Sequence, residues 1–427
     1  MTVEFYQGDA NEVLRRLVAQ GRKVHTALMD PPYYLESVAK RFGKRGSAPA
    51  KAGSDGRFTR QSKGFMGRVW DAADESGYRI AHDPEFWSLV YDLLLPGGYC
   101  LAFSSPRTGH WQAAAMELAG FIMHPFTGWV YGSGFPKAHS VTRLARKAGV
   151  PEAELIAWEG WYYGTQSTKP AIEPVYIGQK PFDTKTGFRN VLTHGVGALN
   201  IKKCLVPTED DLNGGAYAKS GQARDDEWGE NNSFRRDQGL EFVQPEGRWP
   251  ANLLHDGSDD VVGLFPASKG QKGDVKGNEP SGVTNGIYNE FKGRVPSARR
   301  SDAGSAARFF NCFPPDIDAI TYHGKAKKAD RDGSSHPTVK PVGLLRHFVR
   351  LTTPAGGTVL DAFAGSGTTG AAALAEGMNA LLVEREPDHA DDIRRRFKLP
   401  MVDPSIADEY LRAIISTFAS QDSSELI

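Results

Sequence analysis

The chain has 427 residues, of which 40% are hydrophobic and 24% charged, as is typical of soluble globular proteins. Its length allows two or three domains and a large core. Lysine and arginine total 51 and aspartate and glutamate total 51, so the formal net charge is zero. Overall charge is therefore excluded as an argument for a nucleic-acid partner, and such a site must draw its positive charge from a local cluster.

The cysteines and the hydropathy pattern restrict the class further. Cys100, Cys204 and Cys312 are far apart and form no CxxC pair, which predicts a reducing compartment and no structural metal. No apolar run approaches the roughly 18 residues that a membrane helix needs, and the start "MTVEFYQGDA" lacks a signal-peptide core. We expect a cytoplasmic protein with no membrane segment.

The first 35 residues predict a parallel α/β unit. "VEFYQ" is typical of a short strand, and "KVHTALMD" of a buried one. Between them, "DANEVLRRLVAQ" has apolar residues at helical spacing, and Asp9 with Glu12 resembles a capping box. The second strand ends in "DPPYY", where two prolines stop it behind Asp30.

A basic, glycine- and serine-rich stretch follows from residue 40 to residue 68. Two interpretations stay open: a solvated loop, or a loop that becomes ordered on a phosphate backbone. This stretch contains one acid, Asp55, and nine basic residues: Lys40, Arg41, Lys44, Arg45, Lys51, Arg57, Arg60, Lys63 and Arg68.

The rest of the chain predicts two α/β blocks separated by an irregular insertion. Strand and helix patterns continue to about residue 180 and end with "EPVYIGQK". Residues 181–329 are rich in Gly, Asn, Ser and Asp, which is typical of turns. Residues 330–403 return to an α/β pattern with the helix "KPVGLLRHFVRLTT" and the strands "TVLDAF" and "NALLVE". Residues 404–427 are predicted as a short helix and a frayed tail.

"GSGTTG", residues 365–370, fits GxGxxG between a strand and a helix. In this context glycines let a ligand approach the backbone, and the acid that closes the next strand, Glu384, takes ribose hydroxyls. A nicotinamide dinucleotide and S-adenosylmethionine both present such a ribose. Asp361 and Phe363 end the preceding strand, where an acid suits an ammonium better than a diphosphate, so these residues favour S-adenosylmethionine. A structural turn is the remaining interpretation.

"DPPY" (Asp30 to Tyr33) together with "DAFAGSGTTG" (361–370) resembles the site-specific DNA amino-methyltransferases. The catalytic motif precedes the cofactor loop, an order similar to that of the circularly permuted β group of this family. "FYQGDANEVL", "HPTVKP" and "LLVEREP" extend the resemblance. It implies a doubly wound Rossmann-like α/β sheet in which residues 1–180 and 330–403 form the catalytic domain. The insertion, 181–329, corresponds to a target-recognition module.

The resemblance also implies a role for individual residues. The carboxylate of Asp30 and the carbonyl of Pro31 would accept hydrogen bonds from the target amine, with Pro32 fixing the turn and Tyr33 stacking on a base flipped out of the duplex. Asp9 is implied to contact the cofactor, and its interpretation as a helix N-cap is equally good and compatible with that contact. Lys137 is a weaker candidate for a phosphate contact, as are Arg41, Lys44 and Arg45 in the basic loop. The cofactor-binding candidates are Asp9, Ala10, Thr338, Lys340, Asp361, Phe363, Ala364, Gly365, Ser366, Gly367, Thr368, Thr369 and Glu384.

The resemblance therefore implies transfer of a methyl group from S-adenosylmethionine, with no metal, to adenine N6 in double-stranded DNA. The choice of adenine follows a family tendency, since an Asp-first tetrapeptide mostly accompanies adenine N6. Cytosine N4 is the alternative, and an RNA or protein methyltransferase, a non-catalytic DNA-binding module and a dinucleotide oxidoreductase are further ones. A homodimer is expected from the resemblance. Base specificity depends on where side chains of the insertion lie, so the sequence predicts neither the recognition sequence nor a partner restriction nuclease.

Overall fold

A computed structural model describes residues 1–34, 78–132, 138–164, 167–208, 246–268, 303–313 and 339–400, together with residues 134, 136 and 210. The strands are β1 (Val3–Gln7), β2 (Val24–Met29), β3 (Leu94–Phe103), β4 (Ile122–Val130), β5 (His139–Ser140), β6 (Tyr162–Tyr163), β7 (Ile172–Gln179), β8 (Val206–Pro207), β9 (Gly247–Arg248), β10 (Leu253–His255), β11 (Ala267–Ser268), β12 (Gly304–Ser305), β13 (Asn311–Cys312), β14 (Thr358–Asp361) and β15 (Asn379–Glu384).

Ten α-helices lie in the described ranges. They are α1 (Ala10–Ala19), α2 (Pro84–Leu93), α3 (Gly109–Leu118), α4 (Val141–Lys147), α5 (Glu152–Leu155), α6 (Gly187–His194), α7 (Asp259–Val262), α8 (Val342–Thr352), α9 (Thr368–Ala375) and α10 (Pro387–Arg396). Short 3₁₀ turns span Ile80–His82, Ile156–Trp158, Lys202–Cys204 and Ala306–Phe309.

A nine-stranded mixed sheet has the order β1-β15-β14-β2-β3-β7-β4-β10-β13. The five strands from β1 to β3 are mutually parallel, and β7 lies antiparallel between β3 and β4. The carboxyl ends of the parallel strands therefore meet at one edge of the sheet, where ligands bind in doubly wound folds. Two strands from the end of the chain, β14 and β15, separate β1 from β2 although α1 alone joins them in sequence.

Hydrophobic residues pack on both faces of this sheet, as the two-sided alternation of its parallel strands predicts. One core cluster includes Leu28, Leu101 and Phe103 from the strands with Leu344 and Phe348 of α8, and it extends to α9 and α10. The opposite cluster combines alternate strand residues with α1, α2 and α3. The predicted doubly wound α/β fold is thereby confirmed.

The structure refines the predicted ends of two elements near the glycine loop. Strand β14 ends at Asp361 rather than continuing to Phe363, because the Asp361 carboxylate accepts a hydrogen bond from the Phe363 amide at 2.9 Å and turns the backbone away from the ladder. Helix α9 begins at Thr368, inside the predicted loop, since Gly367 caps it in a left-handed conformation (φ 80°). The strand "NALLVE" is confirmed as predicted.

The chain forms two compact units. The first comprises Met1–Lys203, Asn252–Ser258 and Cys312–Ile427, and the second Cys204–Ala251 and Asp259–Asn311. In the second unit β8 pairs with β9 and β11 with β12, both antiparallel. Asp210 forms ion pairs there with Arg248 and, at 3.0 Å, with Arg308. The predicted tail, 404–427, lies outside the described residues.

Within the described part of the chain, no helix has the length and apolarity that crossing a membrane requires.

Candidate active site

The "DPPY" segment begins where β2 ends. Pro31 and Pro32 have no amide hydrogen for a ladder bond, so the strand stops at Met29 and Asp30 lies at the edge of the sheet. The Tyr33 hydroxyl donates a hydrogen bond to Asp30 Oδ1 at 2.7 Å. Thr108 Oγ1 donates to the Tyr33 carbonyl at 2.7 Å, which holds the segment against the loop after β3. Pro31 is buried, whereas Asp30, Pro32 and Tyr33 remain partly exposed.

Lys340 joins this segment from more than 300 residues away. Its side chain is 5% exposed, and its ammonium donates a hydrogen bond to Asp30 Oδ2 and another to the Tyr33 hydroxyl at 3.2 Å. The ammonium also lies 4.9 Å from the centroid of the Phe103 ring. Both oxygens of the Asp30 carboxylate therefore have a partner in this structure. Lys340 is a predicted cofactor-binding residue, and the structure places its ammonium on the acid of "DPPY".

A second acid faces the same ammonium. Glu173, near the start of β7, has Oε2 3.6 Å from Lys340 Nζ and is 3% exposed. Buried charges are costly unless they are paired, so Lys340 lies between two acids that offset its charge. Sequence reasoning missed Glu173. The available signal was an acid opening the otherwise apolar strand "EPVYIG", directly before a proline.

The glycine loop lies on the neighbouring strand. Strand β14 pairs with β2 in parallel, with Leu360 opposite Ala27, so the strands that precede the two motifs are neighbours in the sheet. Gly365 and Gly367 have φ angles of 53° and 80°, in the region that disfavours side chains. The loop from Ala364 to Thr369 is buried, and the partly exposed Phe363 ring packs on Phe86 with their centroids 5.3 Å apart.

Glu384, at the end of β15, ties the loop to the sheet. Its Oε2 accepts a hydrogen bond from the Gly365 amide and its Oε1 one from the Glu386 amide, both at 2.8 Å. The Gly8 amide donates to the Glu384 carbonyl at 3.0 Å, which brings the start of α1 to the same edge. Asp9 is the N-cap there and accepts from the amides of Asn11 (2.9 Å) and Glu12 (3.4 Å). Ala10 is buried as the first residue of α1.

Burial makes this edge favourable for a cation. The pKa of Asp361 is raised to about 7. Burial is the largest cause and the nearby charge of Asp30 adds to it, whereas hydrogen bonds from Thr369 and the Phe363 amide lower the pKa. Burial likewise raises the pKa of Glu384 to about 7, although the Glu386 and Gly365 amides oppose the shift. A positive charge or a hydrogen-bond donor placed beside either carboxylate would stabilise its ionised form.

Five predicted site residues, namely Arg41, Lys44, Arg45, Lys137 and Thr338, lie outside the described residues. In the ranges that are described, no group of three or more His, Cys, Asp or Glu side chains has an arrangement that could hold a metal ion.

The fold and this site define a class: an α/β protein with a mixed sheet, a buried glycine loop and an adjoining acid–proline–proline–tyrosine turn. The chain matches the DNA methylase family (N6_N4_Mtase) over residues 24–395 and belongs to it. The predicted family is thereby confirmed at the level of DNA methylases, and with it the predicted cofactor, S-adenosylmethionine.

Individual relatives align over short segments. The chain is 38% identical over 76 residues to the type II methyltransferase M.HinfI of Haemophilus influenzae. This alignment covers 18% of this chain and 21% of that protein. It is 42% identical over 59 residues to M.BglI of Bacillus subtilis, which covers 14% and 17%. The alignments thus span about a fifth of these relatives. The solved structure of the M1.HpyAVI–SAM complex aligns with a TM-score of 0.38 at 15% identity, over 93% of this chain and 100% of that one.

Proposed function

We propose that this protein transfers a methyl group from S-adenosylmethionine to the exocyclic N6 amine of an adenine flipped out of duplex DNA. The observation that carries the proposal is the parallel pairing of β2 with β14, which aligns the "DPPY" turn with the glycine loop at one sheet edge. The charge of Asp30 contributes to the raised pKa of Asp361, so the two carboxylates interact electrostatically. A methyl acceptor and a cationic methyl donor would meet in that space.

The residues present fit the cofactor. Asp361, buried and with a raised pKa, suits the ammonium of the methionine moiety. Glu384 suits the ribose hydroxyls, and Asp9 with Ala10 lies beside it at the same edge of the sheet. The glycine loop from Phe363 to Thr369 would line the rest of the site. When bound, the cofactor supplies an electrophilic methyl group on a sulfonium.

The protein's own residues would prepare the amine. The lone pair of an aromatic amine is delocalised into the ring, so the nitrogen is a poor nucleophile. Asp30 and the Pro31 carbonyl would accept hydrogen bonds from the two amine hydrogens and concentrate the lone pair on nitrogen, which is positioning and electrostatic stabilisation rather than prior deprotonation. The ring of Tyr33 would stack on the extruded base and offset part of the stacking lost from the duplex.

Further parts of the proposal rest on the resemblance. The motif order, with Asp30 before the glycine loop, supports assignment to the circularly permuted β group. The inserted residues 181–329 would recognise the target sequence, and the chain would act as a homodimer in the cytoplasm. Adenine is preferred over cytosine N4 because the tetrapeptide begins with Asp.

Methylation mapping of DNA from cells that express the protein tests base, atom and sequence together. N6-methyladenine at a defined site is the expected result. N4-methylcytosine would replace the adenine assignment. In a parallel assay with isotope-labelled S-adenosylmethionine, methyl label on RNA or protein and none on DNA would refute the main proposal.

Asp30→Asn tests the assigned acceptor in vitro, with the exposed Asp92→Asn as a matched control. Losing the charged acceptor should lower the rate of methyl transfer by roughly a hundredfold or more, the range found when one preorganised group is removed from an active site. Methyl transfer by the Asp30 variant at the wild-type rate would refute the assigned role.

A further inference from the structure

Lys340 and Glu173 together raise a question that the proposed reaction leaves open. The reaction needs Asp30 as a strong hydrogen-bond acceptor, yet Asp30 Oδ2 accepts from the Lys340 ammonium and Oδ1 from the Tyr33 hydroxyl. A carboxylate can accept about four hydrogen bonds, so the amine is not excluded by numbers alone. However, an ion pair neutralises much of the negative charge that would attract the amine hydrogens. The acceptor is therefore held in a weakened state.

We propose that Glu173 is a positioning residue that takes over the Lys340 ammonium when the target amine binds Asp30. This inference rests on the proposed function of Asp30 as amine acceptor. In the structure the ammonium hydrogen-bonds Asp30, while Glu173 Oε2 lies 3.6 Å away, inside ion-pair range but beyond a good hydrogen bond. A shift of roughly 1 Å would convert that contact into a charge-assisted hydrogen bond and release Asp30 Oδ2.

The charges in this cluster make the exchange inexpensive. Lys340 and Glu173 are 5% and 3% exposed, so neither charge can turn to water for compensation. Moving the ammonium from one carboxylate to the other leaves the summed charge of the three groups unchanged, so no new charge is buried. Lysine is suited to this step, since its ammonium is a point charge with three donors on a flexible stem.

The surrounding side chains limit where the ammonium can move. Its neighbours are the Tyr33 hydroxyl at 3.2 Å and the ring of Phe103, whose centroid is 4.9 Å away. An aromatic ring face tolerates a cation but offers no hydrogen-bond acceptor of comparable strength. Glu173 is thus the acid to which the described structure directs the ammonium once it leaves Asp30.

The location of Glu173 supports a positioning role. It lies on β7, an interior strand of the sheet, in register with Trp129 of β4, and not in a surface loop. A carboxylate fixed in this way can receive an ammonium without rearrangement of its own backbone. Preorganisation of this kind is what positioning residues contribute to catalysis.

A double-mutant cycle tests the inference: Glu173→Gln, Lys340→Met and the combined variant. The readout is the single-turnover rate on a duplex that carries the mapped site, measured beside equilibrium binding of S-adenosylhomocysteine and of the duplex. Glu173→Gln should slow the chemical step roughly tenfold to a hundredfold, the loss of one charged hydrogen bond, with both affinities unchanged. The combined variant should be no slower than Lys340→Met, because Glu173 acts only through the lysine.

Glu376→Gln is the matched control, since it also removes a carboxylate that pairs with cations, here Arg346 and Arg350 on α8. It should turn over at the wild-type rate. Thermal unfolding of all variants separates a folding defect from a chemical one, because a merely structural Glu173 would lower the melting temperature without slowing the chemical step of the folded fraction.

The outcomes distinguish this inference from the proposed function. If the wild-type protein methylates DNA and Glu173→Gln does so equally fast, the exchange is refuted while the proposed function stands. A full, additive effect of Glu173→Gln in the Lys340→Met background would refute it as well. If the wild-type protein transfers no methyl group to DNA, the proposed function itself fails. A ternary structure with S-adenosylhomocysteine and the duplex should show the ammonium closer to Glu173 than to Asp30, and the reverse would contradict the exchange.

Discussion

Replacement of Asp361 by asparagine tests how the protein attracts a cationic cofactor. The pKa of this buried carboxyl is raised to about 7, so roughly nine-tenths of the molecules carry the proton at pH 6 and roughly one-tenth at pH 8. A cation beside Asp361 favours the charged form, and binding must therefore displace the proton at low pH. The affinity for S-adenosylmethionine should rise roughly tenfold from pH 6 to pH 8 through this one group.

The same pKa has the opposite consequence for the protein without its cofactor. Because the folded-state pKa is raised from 3.8, the contribution of Asp361 to stability is full below pH 3.8 and is lost as the pH rises through about 7. The free protein should thus lose stability over the pH range in which its cofactor binds more tightly. Asp361→Asn should remove the share of both dependences that comes from Asp361, leave the share of Glu384, whose pKa is also raised to about 7, and weaken cofactor binding most at pH 8.

Isothermal titration calorimetry from pH 6 to pH 8.5 measures this effect. Repeating the titration in buffers of different ionisation enthalpy counts the protons released, which should approach one for this group near pH 6 and fall toward zero at pH 8. Asp92→Asn, at an exposed position on α2, is the control and should keep the wild-type profile. A pH dependence that survives unchanged in Asp361→Asn would refute the reasoning.

Two other predictions follow from the same edge of the sheet. Tyr33→Phe keeps the ring but loses the hydroxyl that holds Asp30 Oδ1 at 2.7 Å, so the single-turnover rate should fall by roughly tenfold, whereas Tyr33→Ala should fall further and also weaken base extrusion, seen with 2-aminopurine fluorescence. Gly367→Ala adds a methyl group 2.8 Å from Phe397 Cε2 at a φ of 80°, and should cost about 1–3 kcal/mol in the free energy of unfolding, measured by denaturant titration.

Each of these predictions has a control. For Tyr33, the exposed Tyr162→Phe should leave the rate unchanged, and equal rates for Tyr33→Phe and Tyr33→Ala would argue against any role for the ring. For Gly367, the matched change is Gly343→Ala in α8, which is exposed and whose nearest added contact is 3.9 Å away. Equal stability of the two alanine variants would contradict the strain argument.

The sequence alone determined the main helices and strands on either side of the insertion and the chemistry at several of their ends. Local patterns were sufficient because a helix or strand is specified by residues within a few positions of each other: the cap at Asp9, the prolines that stop β2, and the strand "NALLVE" that closes on Glu384. The two motifs also indicated the family, which the match over residues 24–395 confirmed.

Only the tertiary structure decided which of these ends meet. The insertion of β14 and β15 between β1 and β2 depends on pairing across more than 300 residues, and no local pattern records it. Glu173 is the clearest case. In sequence it is one acid at the start of an apolar strand, and its meaning comes from the buried ammonium of Lys340, 3.6 Å away. Such a contact depends on long-range packing and on the cost of burying a charge, and both exist only once the chain has folded.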